Sequence, residues 1–323
     1  MAITLAEAKV GMANKVDQQI VDEFRRSSFL LDRLTFDNII SPGTGGSTLT
    51  YGYVQLDSPS TAGTRKINEE YTPNEAKRVE KTTKAVIMGG AFTLDRVIID
   101  TSGAIDELDF QLREKVKATA NEFHYSVING TTAASGAGFK TNSFDGLRKL
   151  LAGKEVTESV DVSTSELIDT NKHGLIDVLD SFVSTLDGKP TMLLMNKKML
   201  AKIRSAARRA GYYNNNVDGF GRTVEDYNGI ILMDAGEYYN GTNTVDVVGI
   251  EDDGTSNIYA VQLGLNAFHG ISPTGNKLIK TYLPDLKGPG AVKRGEVELV
   301  AGVALKNTLK AGILKGIKIM GTA

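Results

Sequence analysis

A long charged stretch limits most strongly what this chain can fold into. Between Asp57 and Lys84 the sequence carries charges of both signs and few large apolar side chains. Such a segment cannot bury enough apolar surface to offset its ordering entropy, and a loop of this length is uncommon inside a compact domain. Strand-like sequences flank it, TYGYVQL at 50–56 and AVIMGGAFTL at 85–94. We therefore predict an extended hairpin, formed by these two strands, that projects from the body.

Helical periodicity is clearest between residues 104 and 129. Apolar residues recur there at spacings of three, four or seven, and charged residues occupy the other faces. Residues 100–102 offer N-caps and Gly130 offers a stop. At 1.5 Å per residue the predicted helix is about 40 Å long, which suits a strut lying across a sheet. We expect Leu112 to lie in the core between this helix and the sheet.

Shorter helices and strands make up the rest of the sequence. An amphipathic helix is predicted after Thr4, and further helices at 163–187 and 197–210. The apolar run at 190–196 is typical of a strand buried on both faces. Other strands are predicted at 229–236, 245–250, 257–263, 296–307 and 313–320. This order predicts an α+β fold with strand–helix–strand units near the middle of the chain.

The sequence offers little for catalysis. It contains no cysteine, which excludes thiol catalysis, disulfides and thiolate metal sites. Its histidines, His124, His173 and His269, lie far apart, and none has a second ligand at a metal-binding spacing. The motifs of phosphate-binding loops, dinucleotide-binding glycines and nucleophile elbows are missing. The sequence therefore predicts a protein that is not an enzyme, with no catalytic residues, cofactor or metal.

The charge balance favours neither nucleic acid nor membranes as a general partner. The net charge is only −2. No stretch reaches the ~20 apolar residues that a membrane span requires, and the N-terminus does not resemble a secretory signal. The basic segment 197–209 is the best candidate for nucleic-acid contact. A solvated charged face is the preferred interpretation, because no aromatic stacking platform accompanies it.

The order of these parts resembles the Hong Kong 97 family of tailed-bacteriophage major capsid proteins. The long helix ends in VINGT (127–131), and a loop of small residues leads to FDGLRKLL (144–151). MLLMNKKMLAKIRSA (192–206) resembles the family's strand that ends in Asn before a helix with spaced leucines. The end of the chain, ELVAGVALKNTLKAGILKGIKI (298–319), is similar as well. The resemblance covers nearly the whole chain and rests on the order of the parts.

The resemblance implies a domain organisation. It implies an N-terminal arm at 1–45, an extended loop at 46–90, a peripheral domain at 91–150 with the spine helix 104–129, an axial domain at 151–265, and return strands with a final axial strand at 266–323. The loop 211–223 is implied to face the capsomer axis. The expected assembly contacts are Arg65, Lys66, Glu69, Glu70, Lys77, Arg78, Tyr212, Tyr213 and Asn214.

The resemblance also implies a function. The protein is expected to assemble through pentamers and hexamers into an icosahedral phage head around double-stranded DNA, held without sequence specificity. Assembly is expected in the host cytoplasm and the final location in the virion capsid. The arm begins close to Met1, so a separate scaffolding protein, or none, is expected instead of a cleavable scaffolding region. Portal and accessory head proteins are further expected partners, and cohesion between subunits is expected to be non-covalent.

Three alternatives stay open from the sequence. The first is an encapsulin-like compartment, which shares the fold but encloses protein cargo. The second is an α+β enzyme with an unrecognised site. The third is a structural protein of a tail or cell surface.

Overall fold

The computed structural model describes residues 29–40, 49–101, 106–134, 138–211, 215–217, 223–273 and 278–321. The helices in these ranges are α1 (Phe29–Arg33), α2 (Arg96–Thr101), α3 (Glu107–Asn129), α4 (Leu147–Leu150), α5 (Ser165–Ser184) and α6 (Lys197–Ala210), with a 3-10 helix at Thr308–Lys310. The strands are β1 (Phe36–Asn38), β2 (Thr50–Ser58), β3 (Lys77–Lys84), β4 (Val86–Asp95), β5 (Val156–Asp161), β6 (Met192–Met195), β7 (Asn215–Val217), β8 (Thr223–Tyr227), β9 (Ile230–Asp234), β10 (Glu237–Tyr239), β11 (Thr244–Asp246), β12 (Thr255–Val261), β13 (Phe268–Ser272), β14 (Ile279–Tyr282), β15 (Val292–Leu305) and β16 (Ala311–Lys318). The N-terminal helix predicted after Thr4 lies outside the described residues.

The long strand β15 is the centre of one sheet, in the order β1–β13–β15–β14, with β4 also paired to β15. On one edge, β4 pairs with β15 from Asp95 opposite Val292 to Val86 opposite Ala301. On the other edge, β14 and then β13 pair with successive parts of β15. Every second residue of β15 is buried along most of its length, as expected for a sheet with one covered face. We call this the β15 sheet.

Helix α3 covers one face of the β15 sheet. The side chain of Asp106 caps it by accepting hydrogen bonds from the amides of Leu108 (3.0 Å) and Asp109 (3.2 Å), in place of the residues expected at 100–102. Its buried residues all lie in the second half, from position 119 onward. Leu112 is only partly buried, so its expected place in the core is wrong.

Phe123 is the central core residue of α3. Its side chain is fully buried, and its ring centroid lies 6.0 Å from that of Phe36 and 5.6 Å from that of Phe144. After Asn129 the chain turns away sharply. At Gly130 a β-carbon would lie 2.4 Å from the Phe144 carbonyl oxygen and 2.5 Å from that of Ser126, so this stop is set by close backbone approach.

A second sheet has seven strands, in the order β5–β16–β12–β6–β9–β8–β7. Strand β6 is fully buried on both faces, which confirms the prediction for 190–196. Its residues alternate between two cores: Met192 and Leu194 face the core that α3 shares, whereas Leu193 and Met195 face a core covered by α5 and α6. The seven-stranded sheet therefore separates two hydrophobic layers.

The hairpin differs in one respect from the expectation. β2 pairs antiparallel with β3, from Thr50 opposite Lys84 to Ser58 opposite Lys77, and not with the strand predicted at 85–94. That strand is β4, whose Met88, Phe92 and Leu94 are buried in the β15 sheet. The reason is burial: the apolar side of β4 needs a core, whereas the charged β3 remains compatible with water on both sides.

We predict that Phe123→Ala lowers the free energy of unfolding by about 3–5 kcal/mol, because it leaves a cavity in a packed core. Urea denaturation of the unassembled protein measures this effect. Leu112→Ala on the same helix is the matched control, with an expected loss of about 1 kcal/mol or less. Equal losses for the two variants would contradict the placement of the core at the second half of α3.

Candidate functional site

The hairpin is fastened to the body at its base by side chains that bond to the end of β15. The Tyr53 hydroxyl donates to the Leu305 carbonyl (3.1 Å), Gln55 Nε2 to the Lys306 carbonyl (2.6 Å), and the Thr83 hydroxyl to the Val303 carbonyl (3.0 Å). Tyr53 and Gln55 stand two apart on β2, so they share one face of the strand. We call the contact between this face and the end of β15 the joint.

Tyr51 adds a polar cluster to the joint. Its hydroxyl donates to Asp37 Oδ2 at 2.7 Å, and this bond holds the pKa of Asp37 below its ordinary value. Burial, followed by the same bond, raises the pKa of Tyr51 well above its ordinary value. The Lys306 ammonium lies 5.5 Å from the Tyr51 ring centroid, and the His269 ring meets Tyr51 edge-on at 5.8 Å. The cluster ties β1, β2 and β13 to the end of β15.

The joint also requires a close backbone approach. A β-carbon at Gly302, in β15, would lie 2.7 Å from the Lys84 carbonyl oxygen and 3.2 Å from Ala85 Cα. The end of the hairpin therefore passes directly over β15 at Gly302, where the lack of a side chain leaves room for its backbone. The crossing lies on the face of the sheet whose residues include Val300 and Ala304, opposite to the face that α3 covers.

Beyond the joint, the hairpin has no core of its own. Val54 and Leu56, on the other side of β2, are each 65% exposed. At the tip, a turn closed by the bond from the Glu69 amide to the Lys66 carbonyl presents Ile67, which is 88% exposed. A two-stranded hairpin with exposed apolar residues is marginally stable in water, so this element is built to be covered.

The structure brings six of the expected contact residues together on the hairpin, and all six are exposed. Four lie in the loop and two begin β3: Arg65, Lys66, Glu69, Glu70, Lys77 and Arg78. The Arg65 guanidinium packs over the Tyr71 ring at 5.5 Å and so helps to shape the loop. Tyr212, Tyr213 and Asn214 lie outside the described residues. Contact of these nine residues with a neighbour stays a prediction.

Beside the joint, part of the same face of the β15 sheet is uncovered, and we call this part the open face. It carries Ile87, Gly89 and Ala91 on β4, and their partners Val300, Glu298 and Glu296 on β15. Ile87 is largely exposed, as are both small residues. Glu296 pairs with Arg294 at 2.8 Å, whereas Glu298 makes no ion pair within the described part of the chain. The open face is the same face from which the hairpin departs.

A cleft of about 430 Å³ lies between β4 and α3, on the covered side of the sheet. Lys140 Nζ lies 2.8 Å from Glu122 Oε1, and the Tyr238 hydroxyl donates to Glu122 Oε2 at 2.5 Å. Burial lowers the pKa of Lys140, but its bonds to Glu122 and Tyr238 outweigh burial and raise that pKa overall. The Tyr238 ring also stacks on Tyr125 at 4.3 Å. These contacts fasten β10 and the loop before α4 to α3.

The basic helix α6 uses part of its charge internally. Lys202 donates to the Ser163 carbonyl at 2.6 Å, and Arg209 pairs with Asp169 on α5 at 2.8 Å. Lys197 and Lys198 stay exposed. Some basic side chains of α6 therefore hold it to its neighbours in the fold, and others remain in solvent.

Within the described ranges, no cluster of three or more His, Cys, Asp or Glu side chains could hold a metal ion. No helix in these ranges is long and apolar enough to cross a membrane.

Sequence reasoning missed the joint and the open face. The joint residues include Asp37, Tyr51, Gln55, Thr83, His269 and Lys306. The β2 side of the joint could have been found from the sequence, because Tyr51, Tyr53 and Gln55 stand at alternate positions of a predicted strand. In the structure they are less exposed than the residues between them. Their partners are distant in sequence, and no local pattern identifies them.

Solved structures show the fold. The holo-SrpI encapsulin complex from Synechococcus elongatus PCC 7942 aligns with TM-score 0.67 and 14% identity, over 98% of this chain and 97% of that chain. The capsid of Myoviridae phage XM1 aligns with TM-score 0.59 and 14% identity, over 94% and 96%. Gordonia phage Cozz aligns with TM-score 0.57 and 14% identity, over 95% and 91%. No curated protein sequence matches the chain.

The fold is thus the Hong Kong 97 type of phage capsids, as the resemblance implied. Residues 59–237, more than half of the chain, match the SU10 major capsid protein family. The chain belongs to this family of major capsid proteins, and its place is in the capsid of the virion.

We predict that Tyr53→Phe loosens the joint, because it removes a hydrogen bond worth about 1 kcal/mol. Hydrogen exchange of the amides in β2 and β3 is expected to accelerate about fivefold, which corresponds to that energy. Tyr71→Phe is the matched control, since that hydroxyl stands at the hairpin loop, away from the joint. Unchanged exchange in Tyr53→Phe would show that the joint does not restrain the hairpin.

Proposed function

We propose that the protein assembles through pentamers and hexamers into an icosahedral phage head around double-stranded DNA. The observation that carries this proposal is the hairpin, which is fastened firmly at the joint and uncovered beyond it. An isolated molecule gains little from such an element. A neighbouring copy supplies the cover and gains interface area beyond that of a compact contact.

The proposed receiver of the hairpin is the open face of the next copy. In a ring, rotation about the axis keeps each face of every subunit on the same side of the wall. A hairpin that departs from the open face of one copy therefore arrives at the open face of the next. The small residues Gly89 and Ala91 leave room on this face for an incoming strand.

Charges of opposite sign are present on the two surfaces of this pairing. The open face carries Glu296, paired with Arg294, and Glu298, opposite Lys280 of β14, and β3 carries Lys77, Arg78, Lys81 and Lys84 against the single Glu80. Opposite charges at such a contact favour the correct register and speed encounter more than they add affinity. The loop adds Glu69 and Glu70, which allow further pairs with basic groups elsewhere on the neighbour.

The domain organisation belongs to this proposal. The arm at 1–45, the extended loop at 46–90, the peripheral domain at 91–150, the axial domain at 151–265 and the return strands at 266–323 are assigned by the resemblance. The two sheets and their separate helices support a division into a peripheral and an axial part. A separate scaffolding protein, portal and accessory head proteins, assembly in the host cytoplasm and the lack of catalytic activity are proposed on the same basis.

A second candidate is a compartment that encloses protein cargo. The alignment with the holo-SrpI encapsulin complex over 98% of this chain favours it. The family match to phage major capsid proteins makes the phage head the preferred proposal.

Negative-stain electron microscopy of the protein expressed alone, with light scattering, tests shell formation. Closed shells or rings of pentamer and hexamer size are the expected result. A monomer under all conditions, including added scaffold candidates, would refute the proposal. Nucleic acid extracted from particles isolated with their natural contents would support the phage head, whereas packaged protein without nucleic acid would support the compartment.

We predict that Glu298→Lys blocks assembly but leaves the fold intact, because it opposes the basic β3 of the neighbour. Combining it with Lys77→Glu and Arg78→Glu is expected to restore particles by reversing both sides of the contact. Glu166→Lys, on the exposed start of α5, is the matched control and is expected to assemble normally. Microscopy and circular dichroism of each variant measure assembly and fold. Normal particles from Glu298→Lys would remove the open face as the receiver.

A further inference from the structure

His269 is an ionisable side chain that the proposed assembly role leaves unexplained. It lies in β13, opposite Ala304 of β15, and its residue exposure is 0%. Neither Nδ1 nor Nε2 makes a hydrogen bond within the described part of the chain. A buried polar ring without a partner opposes folding, so its presence at this position calls for a functional explanation.

The hairpin seals this histidine from water. The Tyr51 ring of β2 meets the imidazole at 77°, with ring centroids 5.8 Å apart. The other ionisable groups that act on the ring are Asp37 from β1 and Lys306 from the end of β15. The Ala267 carbonyl, just before β13, can accept a hydrogen bond from a protonated ring. Opening the joint would therefore expose His269 to solvent.

We propose that His269 acts as a proton-sensitive latch for the hairpin. The neutral imidazole allows Tyr51 to close over it. A proton on the ring creates a buried charge beside the Lys306 ammonium, which the Ala267 carbonyl and Asp37 offset only in part, and so it favours the released hairpin. The device couples the position of the assembly hairpin to pH.

The direction of the effect follows from the surroundings of the ring. Burial lowers the pKa of His269, and the Lys306 ammonium lowers it further, while the Ala267 carbonyl and Asp37 act in the opposite direction with smaller effect. A released histidine has an ordinary pKa of about 6.5 and binds a proton more readily than the closed one. The closed joint is therefore fully stable above about pH 6.5 and loses stability as the pH falls below it.

Asp37, Tyr51 and Tyr53 each keep one protonation state across this window. The hydrogen bond from Tyr51 holds the pKa of Asp37 below its ordinary value, so Asp37 stays ionised at mildly acidic pH. Burial raises the pKa values of Tyr51 and Tyr53, so both hydroxyls stay protonated. His173, on α5, is exposed and far from the joint in the sequence and the fold. Within the joint, a change between pH 7.5 and 5.5 therefore acts on His269; the other buried histidine, His124, lies on α3 against the Ala235 carbonyl, away from the joint.

Hydrogen exchange of the unassembled full-length protein, corrected for the intrinsic effect of pH on exchange, tests the latch. Opening of β2 and β3 is expected to increase by up to about tenfold per pH unit below 6.5, while α5 stays unchanged. His269→Phe keeps an aromatic ring and is expected to abolish the pH dependence. His173→Phe is the matched control and is expected to retain it.

Tyr51→Phe is a second test of the joint, needed in case His269→Phe does not fold correctly. Loss of its bond to Asp37 is expected to raise opening by the same factor at every pH in the window, with the pH slope kept. A wild-type hairpin whose opening is independent of pH, or an unchanged slope in His269→Phe, would overturn the latch. The measurement needs no shell, so its outcome is separate from that of the assembly experiments.

Discussion

The pairing of β15 is the constraint on which the rest of the structure depends. This strand runs from Val292 to Leu305 and forms ladders with β4 on one edge and with β14 and β13 on the other. One face of the resulting sheet receives α3, and the other receives the base of the hairpin. β13 and β14 directly precede β15 in the chain, whereas β4 lies about 200 residues before it. The ladder with β4 can therefore form only after the residues between them have been placed, which makes the fold rich in long-range contacts.

Elements with local periodicity were predictable from the sequence. α3, α5 and α6 follow from the spacing of apolar residues, and β6 follows from its continuous apolar run. The second strand of the hairpin was misassigned because strand propensity does not specify a partner. β4 has the stronger strand pattern, but burial of Phe92 and Leu94 commits it to β15, and the charged β3 is left to pair with β2.

The candidate site divides in the same way. The exposed charges of the hairpin were predictable, because a segment so poor in apolar residues has no core to enter. The joint was not, because Tyr51 meets Asp37 and His269 only after β1, β2 and β13 have converged on β15. The open face was hidden for a related reason. Glu296 and Glu298 look like ordinary solvated residues of a strand until the register places them beside Gly89 and Ala91.

The uncovered loop between β2 and β3 also bears on what becomes of surplus copies. Its residues 59–76 are all exposed, and they lie in a segment without regular structure. Extended, accessible backbone of this kind is the preferred substrate of proteases. In the proposed shell, the neighbour hides this backbone. We therefore expect an unassembled copy to be cleaved sooner than an incorporated one, so that the segment proposed to build the wall also sets the lifetime of the molecules left outside it.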